Sequence, residues 1–533
     1  MMYLRKVNLL VMVVMASFSA NAAYSASPCP PKEELVTFTT SDGVTLHGEV
    51  ISPCGSSPSD SFPTVFFLNP FGQSFKTYKP QALAFAEDGY RTFSYDPRGW
   101  QSSGGKISLD YELLTNDVRQ AIDWVTGHYK TGRIGVTGIS EGGGLSMLLS
   151  AIDPRLSAVA ALSGWTNMVH PALGHTQRLA WNIVLGTLIT LFGKPSAIIE
   201  EAFEHWRDGT PPEPRELMEK TSPLYHLKEI NERRPPIFLA NDLDDTLFPV
   251  NQAFDFYGKL QGPKHLQINR GFHAAAAITT TKEPNKEPWA SVHKWFDAYV
   301  KNGQPSELDG LVRVNYKNQQ GILEFRDNAL REPKISTYYL KQTNDGYELS
   351  QTAEESRLDA DLSVVSYPWN PSGIISGIPL KSALENLRDL KTVSVPLRHL
   401  KRPYAIAFAA KPVTTDTIIY GVATLQLSLK SKAKKGLVVA YLVDVDANGD
   451  GKLMTHGVYT WSESDALGDG HFSFKIELYH TAWKLASGHK LAIALNSSDP
   501  EYQPPTLLLY DYNLDDTEGS LRLDVPSFTG AVN

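Results

Sequence analysis

Residues 133–144 read Arg-Ile-Gly-Val-Thr-Gly-Ile-Ser-Glu-Gly-Gly-Gly, and this stretch decides the fold. An apolar run leads into Gly138-Ile139-Ser140-Glu141-Gly142, and a helix-like segment follows from Leu145 to Ile152. A strand, a tight turn and a helix in this order form a nucleophile elbow, which exposes the serine hydroxyl at the carboxyl end of the strand. Glycines are needed beside the turn because a Cβ atom there would collide with neighbouring backbone. The stretch therefore predicts Ser140 as a nucleophile.

Short apolar runs and amphipathic segments alternate on both sides of the elbow. Leu114, Val118, Ile122 and Val125, for example, have the spacing of one helical face. The predicted strands are a hairpin of Glu34–Thr39 and Val44–Ile51, followed by Thr64–Leu68, Arg91–Tyr95, Ile134–Thr137, Ala158–Ser163, Pro236–Ala240 and His265–Asn269. We expect the strand that ends at Asn269 to be the last of the sheet. Strands alternating with helices predict an α/β fold with a doubly wound, mostly parallel sheet.

The alternation breaks between Trp165 and Ile230. Leu179–Phe192 is apolar almost all round, and a second helix is predicted at Ser196–Trp206. These segments predict a helical cap inserted over the active site at about residues 166–230. The apolar helix either packs in the interior or forms a wall of the substrate pocket.

From Ser306 onward, short alternating segments recur with Gly, Asp and Asn between them, which predicts an all-β sandwich. The predicted strands there are Ser336–Leu340, Thr417–Leu427, Gly436–Val443, Phe472–Leu478 and Lys490–Leu495. We therefore expect a catalytic domain at 23–303 and a β-sandwich domain at 304–533.

One short segment of the second domain begins like a calcium-binding loop. Asp446-Ala447-Asn448-Gly449-Asp450-Gly451 has the opening of an EF-hand, but Gly457 stands where the loop needs a bidentate glutamate. We expect a hairpin turn there, and no metal or cofactor is expected anywhere in the chain.

The partners of Ser140 are expected further along the chain, because α/β-hydrolases present Ser, acid and His in that order. The acid belongs on the loop Asn241–Pro249, which contains three aspartates. Asp245 stands four residues before Pro249, the usual place of the acid in this fold, and Asp244 is the alternative. For the aspartates that are not the acid, a solvated loop tip is the expected place.

The base is expected directly after the last strand of the sheet. His273 has this position, whereas His265 lies within a predicted strand and His293 within the final helix. His273 would take the Ser140 proton, and Asp245 would hold its tautomer.

Two backbone N–H groups are the predicted oxyanion donors, those of Phe71 and Glu141. Phe71 follows the strand Thr64–Leu68, and Glu141 follows the nucleophile. The Glu141 side chain is an unusual neighbour for a developing negative charge. It points either to solvent or toward a substrate ammonium group.

The N-terminal segment has the pattern of a signal peptide. Arg5 and Lys6 precede the apolar stretch Leu9–Phe18, and Ala20-Asn21-Ala22 offers a cleavage site. The chain of 533 residues has a formal net charge of −8 and no basic cluster, which argues against a nucleic-acid partner. We expect export to the periplasm or the outside, with no stable membrane span in the mature chain.

The chain contains two cysteines, Cys29 and Cys54. An oxidising compartment favours a disulfide between them, and two free thiols are the alternative.

The chain resembles the X-Pro dipeptidyl-peptidase and cocaine-esterase group of α/β-hydrolases, whose members carry a C-terminal jelly-roll domain. The motifs that carry this resemblance are Asn69-Pro70-Phe71, Asp96-Pro97-Arg98-Gly99, Gly138–Gly143, Asp245, His273, Tyr441–Asp446, Thr455-His456-Gly457, Ala486–Leu491 and Ser497–Pro500. Two positions depart from the family. Phe71 stands where a Tyr hydroxyl often serves as an oxyanion donor, and Glu141 stands where an aromatic residue often follows the nucleophile.

The resemblance and the motifs together predict an exported serine hydrolase that cleaves an ester or amide bond through an acyl-enzyme. Its substrate would be a small-molecule ester, an amide or a short peptide. One alternative is an X-Pro-type dipeptidyl-peptidase, with Glu141, Glu200, Glu201 or Glu204 as candidates to hold a substrate amino group. The other alternative is a catalytically inactive hydrolase-like binding protein. The oligomeric state stays open.

Overall fold

The computed structural model describes most of the chain after the predicted signal peptide. Its residue contacts divide the chain into two compact units, with most residues up to Arg313 in the first and most residues from Val314 in the second. The residues described are 29–169, 179–197, 199–200, 215–327, 333–344, 346–352, 363–366, 372–376, 392–502, 505–506, 509–515 and 521–529.

A ten-stranded sheet has the order β1-β2-β4-β3-β5-β6-β7-β8-β9-β10, and its strands β1 to β8 lie in the first unit. Strands β3 to β8 run parallel, whereas the β1–β2 hairpin is antiparallel and joins the sheet through β4. The strands are β1 Lys32–Thr39, β2 Thr45–Ser52, β3 Phe62–Leu68, β4 Arg91–Tyr95, β5 Thr131–Ile139, β6 Leu156–Leu162, β7 Ile237–Asp244, β8 Lys264–Phe272, β9 Leu311–Asn315 and β10 Ile322–Arg326.

Helices connect the parallel strands, as the sequence predicts. They are α1 Lys79–Glu87, α2 Tyr111–His128, α3 Glu141–Ile152, α4 Leu179–Phe192, α5 Arg215–Lys220, α6 Leu227–Arg233, α7 Val250–Lys259, α8 Ala275–Thr279 and α9 Trp289–Phe296. One core lies under α1 and α9, where Phe67, Phe85, Trp289 and Trp295 are almost fully buried. The α/β-hydrolase fold is therefore confirmed.

Two expectations about the sheet are wrong. Strand β7 does not end at Ala240 but continues to Asp244, because Asn241 and Asp242 pair in register with Ile268 and Asn269 of β8. Strand β8 is also not the last of the sheet, since β9 and β10 add two further strands beyond the predicted boundary at residue 303. The extension of β7 could not be predicted because its residues are polar. Strands β9 and β10 could not be assigned to the sheet because they alternate like the predicted strands of the second domain.

The cap region contributes α4, α5 and α6 between β6 and β7. Helix α4 has the predicted bounds Leu179–Phe192. Most of the second predicted cap helix, Ser196–Trp206, lies outside the described residues, as do Glu201 and Glu204. Among the described residues, no helix is long and apolar enough to span a membrane.

The second unit is rich in β-strands, as predicted. Its principal strands are β11 Lys334–Thr343, β12 Gly346–Ser350, β13 Ser363–Val365, β14 Ser394–Val395, β15 Ala405–Ala409, β16 Thr417–Gly421, β17 Thr424–Lys430, β18 Gly436–Val445, β19 Gly451–Trp461, β20 Ala466–Gly468, β21 His471–Glu477, β22 Thr481–Leu485, β23 Lys490–Asn496, β24 Asp511–Leu514 and β25 Arg522–Thr529. The single strand predicted at Thr417–Leu427 is two strands, because Gly421 adopts a positive φ of 118° between them.

The segment that begins like a calcium loop is a hairpin turn, as predicted. Strands β18 and β19 pair antiparallel on either side of it. Asp446 accepts a hydrogen bond from the Asp450 N–H at 2.9 Å and donates its own N–H to the Asp450 carbonyl at 3.0 Å. The side chain and the backbone of Asp446 thus close the turn together.

Cys29 and Cys54 form a disulfide, with their Cα atoms 5.7 Å apart. The bond ties the start of the described chain to the end of the β1–β2 hairpin. The alternative of two free thiols is thereby excluded.

Candidate active site

The turn around Ser140 has the geometry of a nucleophile elbow. Ser140 lies between β5 and α3 with a φ of 57°, a value that a non-glycine residue rarely adopts. A Cβ atom on Gly138 would lie 2.6 Å from the Leu68 carbonyl oxygen, and one on Gly142 would collide with the same oxygen. Glycine is therefore required at both positions, and the elbow packs directly against the end of β3.

A buried tyrosine, Tyr78, supports the elbow through two hydrogen bonds. The Tyr78 hydroxyl accepts a hydrogen bond from the Ile139 N–H at 2.9 Å and donates one to the Leu68 carbonyl at 2.8 Å. It thus joins the ends of β3 and β5 immediately before Ser140. Sequence analysis missed Tyr78, because nothing in the local pattern relates this residue to the elbow.

The structure brings Ser140, Asp245 and His273 together. The Ser140 hydroxyl donates to His273 Nε2 at 2.8 Å, and His273 Nδ1 donates to Asp245 Oδ2 at 2.8 Å. Asp245 Oδ1 accepts the N–H groups of Leu247 at 3.0 Å and Phe248 at 2.8 Å. These donors orient the carboxylate, and its remaining oxygen sets the tautomer of the imidazole.

The other histidines that sequence analysis considered have structural contacts. His265 is buried in β8 and lies 3.2 Å from the Leu308 carbonyl oxygen through Nδ1. The ring of His293, in α9, stacks on Phe85 with the ring centroids 3.7 Å apart. Of these three histidines, the contact with Ser140 is made by His273.

The two other aspartates of the predicted acid loop differ in their surroundings. Asp244 is half-buried at the end of β7. Asp242, which we expected at a solvated loop tip, is almost fully buried because β7 continues through it. Its Oδ2 lies 3.0 Å from the Ser163 hydroxyl. The sequence gives no sign of this burial, since Asp is rarely buried without a charged partner.

Both predicted oxyanion donors have a free N–H group. Within the described part of the chain, neither the Phe71 N–H nor the Glu141 N–H has an acceptor. Glu141 is the first residue of α3, so the positive end of the helix dipole lies at the same place. Both groups thus keep their donor capacity within the described structure, and the Glu141 N–H directly follows Ser140 along the chain.

The loop that carries Phe71 is a tight turn held from two sides. The Gln73 N–H donates to the Pro70 carbonyl at 3.1 Å, and Gly72 has the positive φ of 77° that such a turn requires. Gln101 Nε2 donates to the Gly72 carbonyl at 3.1 Å, although Gln101 itself has an unfavourable φ of 47°. Sequence analysis missed Gln101, since no local signal indicates a glutamine with positive φ.

The Phe71 ring packs against protein side chains. It lies edge-on to Trp100, with the ring centroids 4.8 Å apart. Ile189 of α4 belongs to the same apolar cluster, and Leu188 lies against Gly72. Part of the apolar surface of α4 therefore covers the turn that carries Phe71, here called the oxyanion turn. Phe192, at the end of the helix, is exposed.

The Glu141 side chain points neither to solvent nor to a charged partner. Its exposed fraction is 6%, and its Oε2 atom has no hydrogen-bond partner among the described residues. Burial raises the pKa of Glu141 from 4.5 to about 8, because desolvation disfavours the charged form. The buried tyrosines Tyr95 and Tyr111 are the titratable groups that interact with it. Glu141 is thus largely uncharged at neutral pH.

Comparison with known proteins agrees with this architecture. The family model of the X-Pro dipeptidyl-peptidase (S15 family) matches residues 42–275. The model of the X-Pro dipeptidyl-peptidase C-terminal non-catalytic domain matches residues 311–519. The two matches together span most of the chain. The chain covers about a third of the length of the curated relatives that it matches, 33% of one and 34% of another.

Solved structures share the fold over nearly the whole chain at low sequence identity. A CocE/NonD family hydrolase from Staphylococcus aureus is 12% identical, with a TM-score of 0.68 over 93% of this chain and 94% of that one. An aminopeptidase from a Thaumarchaeota archaeon is 14% identical, with a TM-score of 0.71 over 96% and 99%. An α-amino acid ester hydrolase is 14% identical, with a TM-score of 0.68 over 96% and 99%. By its matches to the two family models, over residues 42–275 and 311–519, the chain belongs to the X-Pro dipeptidyl-peptidase (S15) family, a family of serine hydrolases with the α/β-hydrolase fold and a β-rich C-terminal domain.

Proposed function

We propose that the protein is an exported hydrolase that cleaves an acyl ester or amide through an acyl-enzyme on Ser140. The observation that carries this proposal is the hydrogen-bonded chain from Asp245 through His273 to Ser140, with both contacts at 2.8 Å. A serine hydroxyl is a weak nucleophile until a base removes its proton, and the chain supplies that base.

The reaction would proceed in two halves. His273 Nε2 takes the Ser140 proton as Oγ attacks the acyl carbon, and the oxyanion that forms is held by the N–H groups of Phe71 and Glu141. His273 then gives the proton to the leaving group. Water repeats the sequence on the acyl-enzyme, while Asp245 holds the imidazole and stabilises its positive charge.

Esters of apolar acids are the substrate class that we propose. A dipeptidyl-peptidase must bind the charged α-amino group of its substrate, which loses its hydration unless a carboxylate replaces it. Glu141 does not supply that carboxylate at neutral pH, because it is buried and largely protonated. Glu200, the other described candidate to bind the α-amino group, is exposed on the cap region. The half-buried Leu185 and the exposed Phe192 of α4 offer apolar surface in the same region.

The second candidate function is that of an X-Pro dipeptidyl-peptidase, which the match of residues 42–275 to that family favours. The two candidates differ in one measurement, kcat/KM for butyryl to octanoyl p-nitrophenyl esters beside that for Ala-Pro- and Gly-Pro-p-nitroanilide. We expect the esters to be cleaved with the larger kcat/KM. Efficient release of either dipeptide with slow turnover of every ester would replace the esterase with the peptidase.

An inactive binding protein is the remaining alternative, and labelling distinguishes it. An active site serine in this arrangement reacts with a fluorophosphonate, whereas an inactive relative does not. Export is supported by the Cys29–Cys54 disulfide, since such bonds persist in oxidising compartments. Recovery of the mature chain, without residues 1–22, from the periplasm or the medium would test it.

A further inference from the structure

A buried carboxyl group lies two residues before the proposed acid, and its hydrogen bonds within the described structure go to residues other than Ser140 and His273. Asp242 is 1% exposed, and it occupies the part of β7 that pairs with Asn269 of β8. Two residues separate it from Asp245 along the chain. The mechanism above assigns it no role.

The contacts of Asp242 reach three elements that meet at the site. Its Oδ2 lies 3.0 Å from the Ser163 hydroxyl at the end of β6, and its Oδ1 accepts the Ala276 N–H at 3.4 Å in the first turn of α8. Its own carbonyl accepts the Asp245 N–H at 3.1 Å. One residue therefore connects the end of β6, the loop of the proposed acid and helix α8, which begins two residues after His273.

Three residues around this carboxyl group have positive φ angles, which residues other than glycine rarely adopt. Ser163 has a φ of 49°, Gly271 a φ of 127° and Ala274 a φ of 60°. Ser163 and Ala274 are not glycines, so each conformation has a cost of about 1–2 kcal/mol. Such backbone persists only where surrounding contacts hold it, and the Asp242 carboxyl group contacts two of the segments involved.

We propose that Asp242 is a positioning residue, which holds the loops of Asp245 and His273 in register with the end of β6 through Ser163 and Ala276. This inference rests on the proposed function, because it requires that Asp245 and His273 act on Ser140. Asp242 acts through these residues and does not touch the substrate.

The surroundings of Asp242 shift the pKa of its carboxyl group upward. Burial raises its pKa well above the usual value and the negative charge of Asp245 adds to this rise, whereas the hydrogen bonds from Ser163 and Ala276 act in the opposite direction. The Ser163 hydroxyl donates to Oδ2 of this carboxyl group, and the Ala276 N–H donates to its Oδ1. An asparagine keeps both contacts, because its Oδ1 accepts the Ala276 N–H and its Nδ2 donates to the Ser163 hydroxyl, which rotates to accept.

Three variants of the full chain test the proposal, with the exposed Asp255→Ala of α7 as the control. Asp242→Ala removes both side-chain contacts, Asp242→Asn keeps them, and Ser163→Ala removes one of them. The measurements are kcat and KM on the best p-nitrophenyl ester at pH 7 and the rate of fluorophosphonate labelling. A displacement of about 1 Å at the catalytic groups costs on the order of a hundredfold.

We expect Asp242→Ala to lower kcat and the labelling rate by about ten- to a hundredfold while KM changes less than about threefold. Asp242→Asn should restore kcat to within about threefold of the wild type, because it keeps both hydrogen bonds. If Asp242→Ala does not fold, Ser163→Ala carries the test, with an expected loss of kcat of about fivefold or more, since it removes one of the two contacts.

A folded Asp242→Ala variant with wild-type kcat would overturn the proposal, as would an Asp242→Asn variant as impaired as Asp242→Ala. If Asp242→Ala does not fold, a Ser163→Ala variant with wild-type kcat would have the same effect. A wild-type protein that neither hydrolyses esters or anilides nor reacts with the fluorophosphonate would refute the proposed function itself, and this inference with it. The two kinds of failure are therefore distinguishable.

Discussion

The buried glutamate beside the nucleophile leads to a prediction about pH. Glu141→Gln replaces a group that ionises with a neutral one of nearly the same volume. The pKa of Glu141 is raised from 4.5 to about 8 in the folded protein, so the folded state binds the proton more tightly than the unfolded state. Stability is therefore unaffected below pH 4.5 and falls as the pH rises from 4.5 toward 8.

The size of this effect follows from the rise in pKa. One pKa unit corresponds to about 1.4 kcal/mol, so a rise from 4.5 to about 8 corresponds to on the order of 5 kcal/mol of lost stability at pH 8 and above. The Gln variant does not ionise and escapes this loss. We therefore expect its unfolding temperature to exceed that of the wild type by a margin that grows from pH 5 to pH 8.

The activity of the wild type should also fall above pH 8. Two like unit charges several ångströms apart repel each other by on the order of 2 kcal/mol at an effective dielectric constant of about 20, so an ionised Glu141 raises the energy of a transition state that carries an oxyanion. This corresponds to a loss of about thirtyfold in kcat. The wild type should lose activity between pH 8 and 10, and Glu141→Gln should lose less.

Scanning fluorimetry from pH 5 to pH 9 and kcat from pH 6 to pH 10 measure both effects. Glu229→Gln, at an exposed position of α6, is the matched control and should follow the wild type at every pH. The reasoning is refuted if the difference in unfolding temperature between wild type and Glu141→Gln is the same at pH 5 and pH 8.

The choice of acid is tested by Asp245→Asn, which should lower kcat by about 10⁴ because the amide holds the wrong imidazole tautomer, against a small loss for Asp244→Asn; equal losses would contradict the assignment. Reduction of the Cys29–Cys54 bond should destabilise the first unit by about 3 kcal/mol, since the bond closes a loop of 25 residues. Thermal unfolding with and without reductant measures this, and no shift would count against it. Gln101→Gly relieves a positive φ of 47° but removes the hydrogen bond to the oxyanion turn. The unfolding temperature should hold or rise while kcat falls about tenfold; an unchanged kcat would mean that the turn holds without Gln101.

Much of the first unit could be predicted from the sequence because its signals are local. Apolar runs mark the buried strands, and the glycines around Ser140 mark the one turn where side chains have no room. Asp245 and His273 could be placed from their distance to a proline and to a strand end, and the structure does bring both to Ser140.

The residues that sequence analysis missed depend on contacts between distant segments. Asp242 resembles a loop residue, yet Ser163 of another strand supplies the hydrogen bond that makes its burial possible. Gln101 holds the oxyanion turn from 29 positions away, and Tyr78 joins two strand ends. Burial also decides the character of Glu141, which the sequence left open between solvent and substrate.

The central claim is that the Ser140 hydroxyl is the nucleophile. The most direct measurement is intact-protein and peptide mass spectrometry after incubation with a fluorophosphonate, on the wild type and on Ser140→Ala. The account predicts one adduct per wild-type chain, on the peptide that contains Ser140. The Ser140→Ala protein should have no adduct, a wild-type unfolding temperature and a loss of kcat on the order of 10⁶. An adduct on another residue, or equal labelling and turnover in the Ser140→Ala protein, would contradict the account.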